Sequence, residues 1–368
     1  MRWQHSRHLF RLPSRSTPRC RHISTANSAP VLFDGLVKGN RHALAKAITL
    51  VESSRADHKQ EAQRLLAMVL ELGKRARGGK GSGLPTTFRI GLSGSPGVGK
   101  SSFIETFGLY LISQGHKVAV LAVDPSSSRT GGSILGDKTR MPDLSRHDMA
   151  YIRPSPSSCT LGGVARNTNE AILLCEAGGY DIILVETVGV GQSETMVSEM
   201  TDFFTLLVAP GGGDELQGMK KGIVELSDLI LVNKSDGDLE PASRVAVMEY
   251  LSALKFVTRN WEGWRPEVLP VSSHRGKNIP ETWETMKRFY DASESAGELY
   301  KRRGSQRTHW MWRQINDELM WRLKTDKPVR QMINTLEPQV YEGLLTSGQA
   351  ADKVLHEFID RQRSGLVK

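Results

Sequence analysis

Between residues 86 and 291, short apolar runs alternate with longer amphipathic stretches. The runs at 88–93, 117–123, 180–186, 204–209, 229–233 and 267–271 are nearly continuous in Val, Ile, Leu, Phe and Ala, and a weaker one lies near Ala150. They predict strands. Stretches of helical character near 101–114, 163–177, 241–257 and 280–291 separate most of them. Near-continuous apolar strands joined by crossover helices imply an α/β fold, a doubly wound and mainly parallel sheet covered on both faces. Such sheets bind ligands at the carboxyl ends of their strands.

The flanks read differently. Leu44, Ile48 and Val51, then Leu65, Met68, Val69 and Leu72, recur at spacings of three and four. They predict a helical hairpin over 40–77, followed by a glycine-rich linker at 77–83. After about residue 292 the alternation stops. Trp312, Ile315, Leu319 and Leu323 form one helical stripe, and Ala351, Leu355, Phe358 and Ile359 another. A helical arm this apolar needs a surface to cover it, either its own nucleotide domain or a second subunit. The expected organisation is a leader at 1–30, a helical extension and linker at 31–85, the sheet domain at 86–291 and a helical arm at 292–368.

Charge narrows the function classes. The formal net charge is +9. Residues 1–33 contain Arg2, Arg7, Arg11, Arg15, Arg19 and Arg21 and no acid, so the remaining chain carries only about +3. Nucleic acid thereby loses most of its support as a partner. The arginine-rich, Ser/Thr-rich, acid-free leader is the signature of a mitochondrial transit peptide, which implies the matrix; a disordered basic tail is the plainer alternative. No apolar run approaches the ~18 residues of a membrane span. Cys20, Cys159 and Cys175 form neither a disulfide framework nor a zinc motif.

Chemistry concentrates at the predicted strand ends. Gly94, Ser95, Pro96, Gly97, Val98, Gly99, Lys100 and Ser101 match G-x-x-x-x-G-K-[ST] in full, between a strand and a helix. Glycines let main-chain N–H groups wrap phosphates, and the helix amino end adds positive potential. Lys100 would reach the β- and γ-phosphates, Ser101 would ligate Mg²⁺ and Ser102 would reach the α-phosphate. Magnesium also takes one or two carboxylates. Asp124 and Glu186 each end an apolar run, and Asp137 lies on a Ser/Gly-rich segment. Taken alone, Asp124 also suits a cap before Pro125, and Asp137 a surface acid.

Asn233, Lys234 and Asp236 follow a strand and form N-K-x-D. The Asp236 carboxylate would accept from the N1 and N2 hydrogens of guanine, which adenine cannot supply, so ATP would leave it unsatisfied. Asn233 would fasten the loop and the Lys234 stem would cover the base. Ser272, Ser273 and His274 follow the next strand and would present main-chain N–H groups to guanine O6, or form an ordinary loop. The residues thus imply Mg·GTP or GDP as the ligand.

Five further stretches carry a resemblance. They are Val-Asp-Pro-Ser-Ser-Ser at 123–128, Leu-Gly-Asp-Lys-Thr-Arg-Met at 135–141, Ile-Arg-Pro-Ser-Pro at 152–156, Glu-Thr-Val-Gly-Val-Gly-Gln-Ser at 186–193 and Gly-Gly-Asp-Glu-Leu-Gln-Gly at 212–218. With them the chain resembles, over roughly 40–360, the methylmalonic aciduria type A/ArgK/MeaB family of P-loop GTPases, and in particular its mitochondrial members. The resemblance implies a homodimer held by the C-terminal arm. It implies GTP hydrolysis coupled to chaperoning methylmalonyl-CoA mutase: gating adenosylcobalamin loading and protecting the enzyme. It places Asp124, Asp137 and Glu186 around Mg²⁺ and makes the 211–222 loop a switch, with Gln217 and Lys220 as coupling or hydrolysis residues; Lys220 alone also reads as a solvated charge. The chain departs from the commonest family pattern at Ser95-Pro96, at 126–130 and after Gly211, none of them a phosphate or base ligand.

Small GTPases carry a water-orienting glutamine directly after D-x-x-G. Here Glu186-Thr-Val-Gly189 takes that place and Val190 follows. Hydrolysis without a partner is therefore expected to be slow. Rival readings are a GTP-dependent metallochaperone, which wants a Cys/His cluster the sequence lacks, and a small-molecule kinase, against which Asn233–Asp236 argue. A chain that itself carries cobalamin would need D-x-H-x-x-G, which the sequence lacks, so no cobalamin is expected to be bound directly by this chain.

Overall fold

Seven strands form one sheet in the order β3-β2-β4-β1-β5-β6-β7, and every neighbouring pair is parallel. The computed structural model describes residues 28–53, 55–78, 87–123, 141–154, 161–187, 193–211, 221–257 and 261–365. In chain order the elements are α1 (Ala29–Val37), α2 (Arg41–Val51), α3 (Ala56–Gly78), β1 (Phe88–Gly94), α4 (Lys100–Ser113), β2 (Val118–Val123), α5 (Pro142–Arg146), β3 (Ala150–Arg153), α6 (Leu161–Ala177), β4 (Ile182–Thr187), α7 (Ser193–Ser198), β5 (Phe203–Val208), α8 (Lys221–Leu226), β6 (Leu229–Val232), α9 (Glu240–Leu254), β7 (Glu267–Pro270), α10 (Ile279–Ser295), α11 (Glu298–Thr325), α12 (Lys327–Tyr341) and α13 (Ser347–Gly365).

The strand period of two sorts side chains between two cores. On one face Ala119, Leu121, Val123, Ile183, Val185 and Phe204 pack under α1, α2, α3, α6 and α7. On the other, Ile90, Leu92, Val118, Val120, Ile182 and Leu184 pack under α4, α5 and α10, around Phe103, Phe107 and Phe289. Leu206, Val208, Ile230 and Val232 extend the first face beneath α8 and α9. The sheet is thus doubly wound and wholly parallel, and all seven expected strands form.

The N-terminal part differs from the expected hairpin. Three helices form, because α1 precedes it: Ala29, Leu32 and Leu36 are buried and the Ala29 N–H donates to Glu61 Oε2 at 3.0 Å. At nine residues, α1 is too short to show a sustained helical period. Asn40 caps α2 by accepting from the His42 and Ala43 N–H groups.

Helix α11 docks on the amino ends of the strands. Arg303 makes a two-pronged ion pair with Asp202 at 2.7 and 2.6 Å and also donates to Thr87 O. Arg302 pairs with Asp228, and Trp310 Nε1 donates to Glu199 O at 2.9 Å. The stripe that the sequence singles out lies elsewhere on the helix: Trp312, Ile315 and Leu319 are exposed in the single chain.

Candidate nucleotide site

Strand β1 ends at Gly94, and the chain turns through 95–99 into α4, whose first residue is Lys100. Two glycines make that turn possible. A Cβ on Gly94 would lie 2.3 Å from Leu207 O, and one on Gly99, at φ +95°, would lie 2.7 Å from Asn233 Nδ2. The loop therefore presses against β5 and the Asn233 loop more closely than any side chain permits. The Lys100 ammonium donates to Gly94 O at 2.6 Å and Ser95 O at 3.2 Å, which curls it into the centre of its own loop.

The neighbouring strand ends converge on this loop. Asn233, buried after β6, joins two segments: its Nδ2 donates to Val98 O at 2.9 Å, and its Oδ1 accepts from the Ser273 N–H at 3.2 Å and hydroxyl at 2.8 Å. Lys234 adopts a left-handed conformation at φ +60°, and its Nζ reaches Gly97 O at 2.8 Å. The stem thus spans from the 233–236 loop to the phosphate loop. Asp236 Oδ2 accepts from Ser272 Oγ at 2.8 Å, and Arg275 Nε lies 3.6 Å away. Thr106, on α4, donates to Ser273 O at 2.8 Å.

On the phosphate side, Ser101 Oγ donates to Glu186 Oε1 at 3.5 Å, and Glu186 is buried. A hydroxyl and a carboxylate oxygen beside a lysine and a helix amino end are the hard oxygen donors that magnesium takes, so these two residues fit Mg²⁺.

The structure brings Gly94, Ser95, Pro96, Gly97, Val98, Gly99, Lys100, Ser101, Ser102, Glu186, Asn233, Lys234, Asp236, Ser272, Ser273 and His274 to the carboxyl ends of β1, β4, β6 and β7. Asp124, Asp137, Gln217 and Lys220 lie outside the described residues. The side-chain roles of Ser272 and Thr106 escaped sequence reasoning. Both are hydroxyls acting on loops far away in the chain, and no spacing rule reports that.

A wholly parallel, doubly wound sheet with this loop between β1 and α4 defines a P-loop nucleotide-binding protein. The chain belongs to the family described as methylmalonyl Co-A mutase-associated GTPase MeaB, which matches residues 44–328. It is 54% identical over 330 residues to the mouse (Mus musculus) methylmalonic aciduria type A homolog, mitochondrial, covering 90% of this chain and 79% of that protein. It is 45% identical over 336 residues to GTPase ArgK of Escherichia coli, covering 89% and 95%. Among solved structures it is similar to an LAO/AO transport system kinase, with a TM-score of 0.73 and 35% identity, covering 92% of this chain and 99% of the other.

Proposed function

We propose that this protein binds and hydrolyses Mg·GTP in the mitochondrial matrix to chaperone methylmalonyl-CoA mutase, gating adenosylcobalamin loading and protecting or reactivating the enzyme. The observation that carries the nucleotide part is the double attachment of Asn233, to the phosphate loop through Val98 O and to the 272–274 segment through Ser273. The 95–99 loop and the 272–274 segment are thereby tied together, and Asp236 is held to the second of them by Ser272. The family membership and the names of the relatives support the mutase as partner.

In this reading, main-chain N–H groups of 97–102 and the Lys100 ammonium bind the β- and γ-phosphates, and Asp236 selects guanine. Ser101 and Glu186, with Asp124 and Asp137, hold Mg²⁺, which supplies charge neutralisation at the β- and γ-phosphate oxygens. Gln217 and Lys220 act in hydrolysis or in coupling it to the mutase. Val190 follows Gly189, so intrinsic hydrolysis is slow and the partner accelerates it by ordering the loops. The exposed face of Trp312, Ile315 and Leu319 suits a homodimer, and the basic leader suits mitochondrial import.

The test is nucleotide competition followed by single-turnover hydrolysis. GDP displaces a fluorescent guanine nucleotide and ATP does not; added mutase then raises the single-turnover rate. Displacement by ATP as effective as by GDP overturns the nucleotide reading. Equal fast hydrolysis with and without the mutase overturns the coupling.

A further inference from the structure

The neighbouring strands β1 and β4 part company at the phosphate end, and one buried hydrogen bond spans the gap. The β1–β4 ladder pairs Phe88 with Ile182 at its start and closes at Leu92 with Glu186. Beyond that point β1 keeps company with β5, as far as Gly94 opposite Leu207. Strand β4 keeps company with β2, as far as Thr187 opposite Val123. The next rung between β1 and β4 would join Ser93 to Thr187, and there the side chains take over. Thr187 Oγ1 donates to Ser93 Oγ at 3.1 Å, with both residues buried.

Each end of this contact is one residue from a phosphate-side group. Ser93 precedes Gly94, whose carbonyl accepts from the Lys100 ammonium. Thr187 follows Glu186, whose Oε1 accepts from Ser101 Oγ. Side chains alternate along a strand, so Thr187 lies on the face of Ile183 and Val185 while Glu186 lies on the face of Leu184 and α4. The latch therefore acts from the far side of the sheet. It sets how far the Glu186 carboxylate stands from the first turn of α4 without occupying the space where phosphate and metal would bind. Both hydroxyls are buried, so breaking this contact would leave them without a partner, and the bond is favoured to stay made.

We propose that Thr187 is a positioning residue for the divalent cation: its hydroxyl, through Ser93, holds Glu186 at the distance from Ser101 that cation binding needs. The proposal rests on the Mg·GTP reading above and deepens it.

The test uses the full chain with GDP and Mn²⁺ in place of Mg²⁺, free Mn²⁺ being read by electron paramagnetic resonance. Thr187→Val keeps the shape and removes the donor. It is expected to weaken Mn²⁺ binding to the protein–GDP complex by about fivefold, the ratio carried by a hydrogen bond of ordinary net strength. Affinity for a fluorescent GDP in EDTA is expected to stay within about twofold, because no phosphate or base group moves. Thr187→Ser, which keeps the hydroxyl, is expected to restore Mn²⁺ binding. Unchanged Mn²⁺ binding in Thr187→Val overturns the proposal. So does an equal loss of GDP affinity in EDTA, or a Thr187→Ser variant as weak as the valine one. If the valine variant does not fold, Ser93→Ala cuts the same contact from the other side and must weaken Mn²⁺ binding alike; unchanged binding overturns the proposal. A protein without substitution that binds no GDP sinks the nucleotide reading itself, a different outcome from a guanine-binding protein indifferent to Thr187.

Discussion

The two ends of the sheet are held by different chemistry. At the amino ends, charged side chains close the structure: Arg303 on Asp202, Arg302 on Asp228, Arg89 on Glu176. The acids also take main-chain donors, since Asp202 accepts from the Arg89 N–H and Asp228 from the Phe204 N–H. Asp202 is fully buried, and the Arg303 guanidinium and the Arg89 N–H supply the partners that a buried carboxylate requires. At the carboxyl ends most ties run from hydroxyls and amides: Asn233 holds Val98 O, Thr106 holds Ser273 O, Ser272 holds Asp236 and Thr187 holds Ser93, while the Lys100 and Lys234 ammoniums rest on loop carbonyls rather than on acids. Strong paired charges make a permanent foundation. Neutral hydrogen bonds are individually modest, which suits an end whose groups must re-form around a polyanion. The difference also explains why α11 belongs with the foundation: its first half is seated by Arg302, Arg303, Gln306 and Trp310, and its apolar stripe begins just beyond.

Substitutions that separate the two ends break or sharpen this comparison. The largest effect is expected from Arg303→Ala, which leaves Asp202 buried without its main counter-charge. A loss of about 3–5 kcal/mol is expected, read by chemical denaturation, with the preference for GDP over ATP unchanged in whatever protein remains folded. A stable variant, or a changed base preference, would show that the ends are not independent.

Next comes Asp236→Asn. It removes a charged acceptor at the base site, and guanine affinity is expected to fall by about 100-fold. Calorimetric melting should stay close to that of the parent protein, because Ser272 keeps an acceptor. A large fall in melting temperature would mean that the base loop is part of the foundation after all.

The smallest effect is expected from acid. Burial works against the Glu176 carboxylate, but the charge and hydrogen bond of Arg89, helped by Arg303 and Thr87, outweigh it and hold the pKa below the ordinary glutamate value. A lowered carboxylate pKa contributes stability above the ordinary value near 4.5, and that share is lost as the pH falls through the folded-state value. Denaturation midpoints at pH 7, 4.5 and 3.5 should therefore decline toward acid, and Glu176→Gln should flatten part of the decline. A variant with the same acid slope as the parent would remove Glu176 from the account.

Much of this was legible in the chain. Strands buried on both faces must be apolar almost throughout, so the seven runs announced a parallel sheet. The phosphate loop was readable because its chemistry is contiguous: glycines, a lysine and a hydroxyl within eight positions, between a strand and a helix. Asn233, Lys234 and Asp236 were readable for the same reason. The foundation was not. Arg303 lies 101 positions from Asp202, and Arg89 lies 87 from Glu176; in the sequence these are ordinary charges among many. The α1 helix is not legible in the chain because nine residues hold too few turns to show a period.

Local order in the chain determined which residues form strands, and it singled out the loop proposed to meet a phosphate and the carboxylate proposed to name a purine, because those properties reside in neighbours a few positions apart. The tertiary structure alone decided what holds them in register. It set which arginine neutralises which buried acid, which face of α11 is seated and which left open, and how a threonine on one face of the sheet comes to stand behind a glutamate on the other. Those pairings come from winding the strands in the order β3-β2-β4-β1-β5-β6-β7, which makes neighbours in space of residues far apart along the chain.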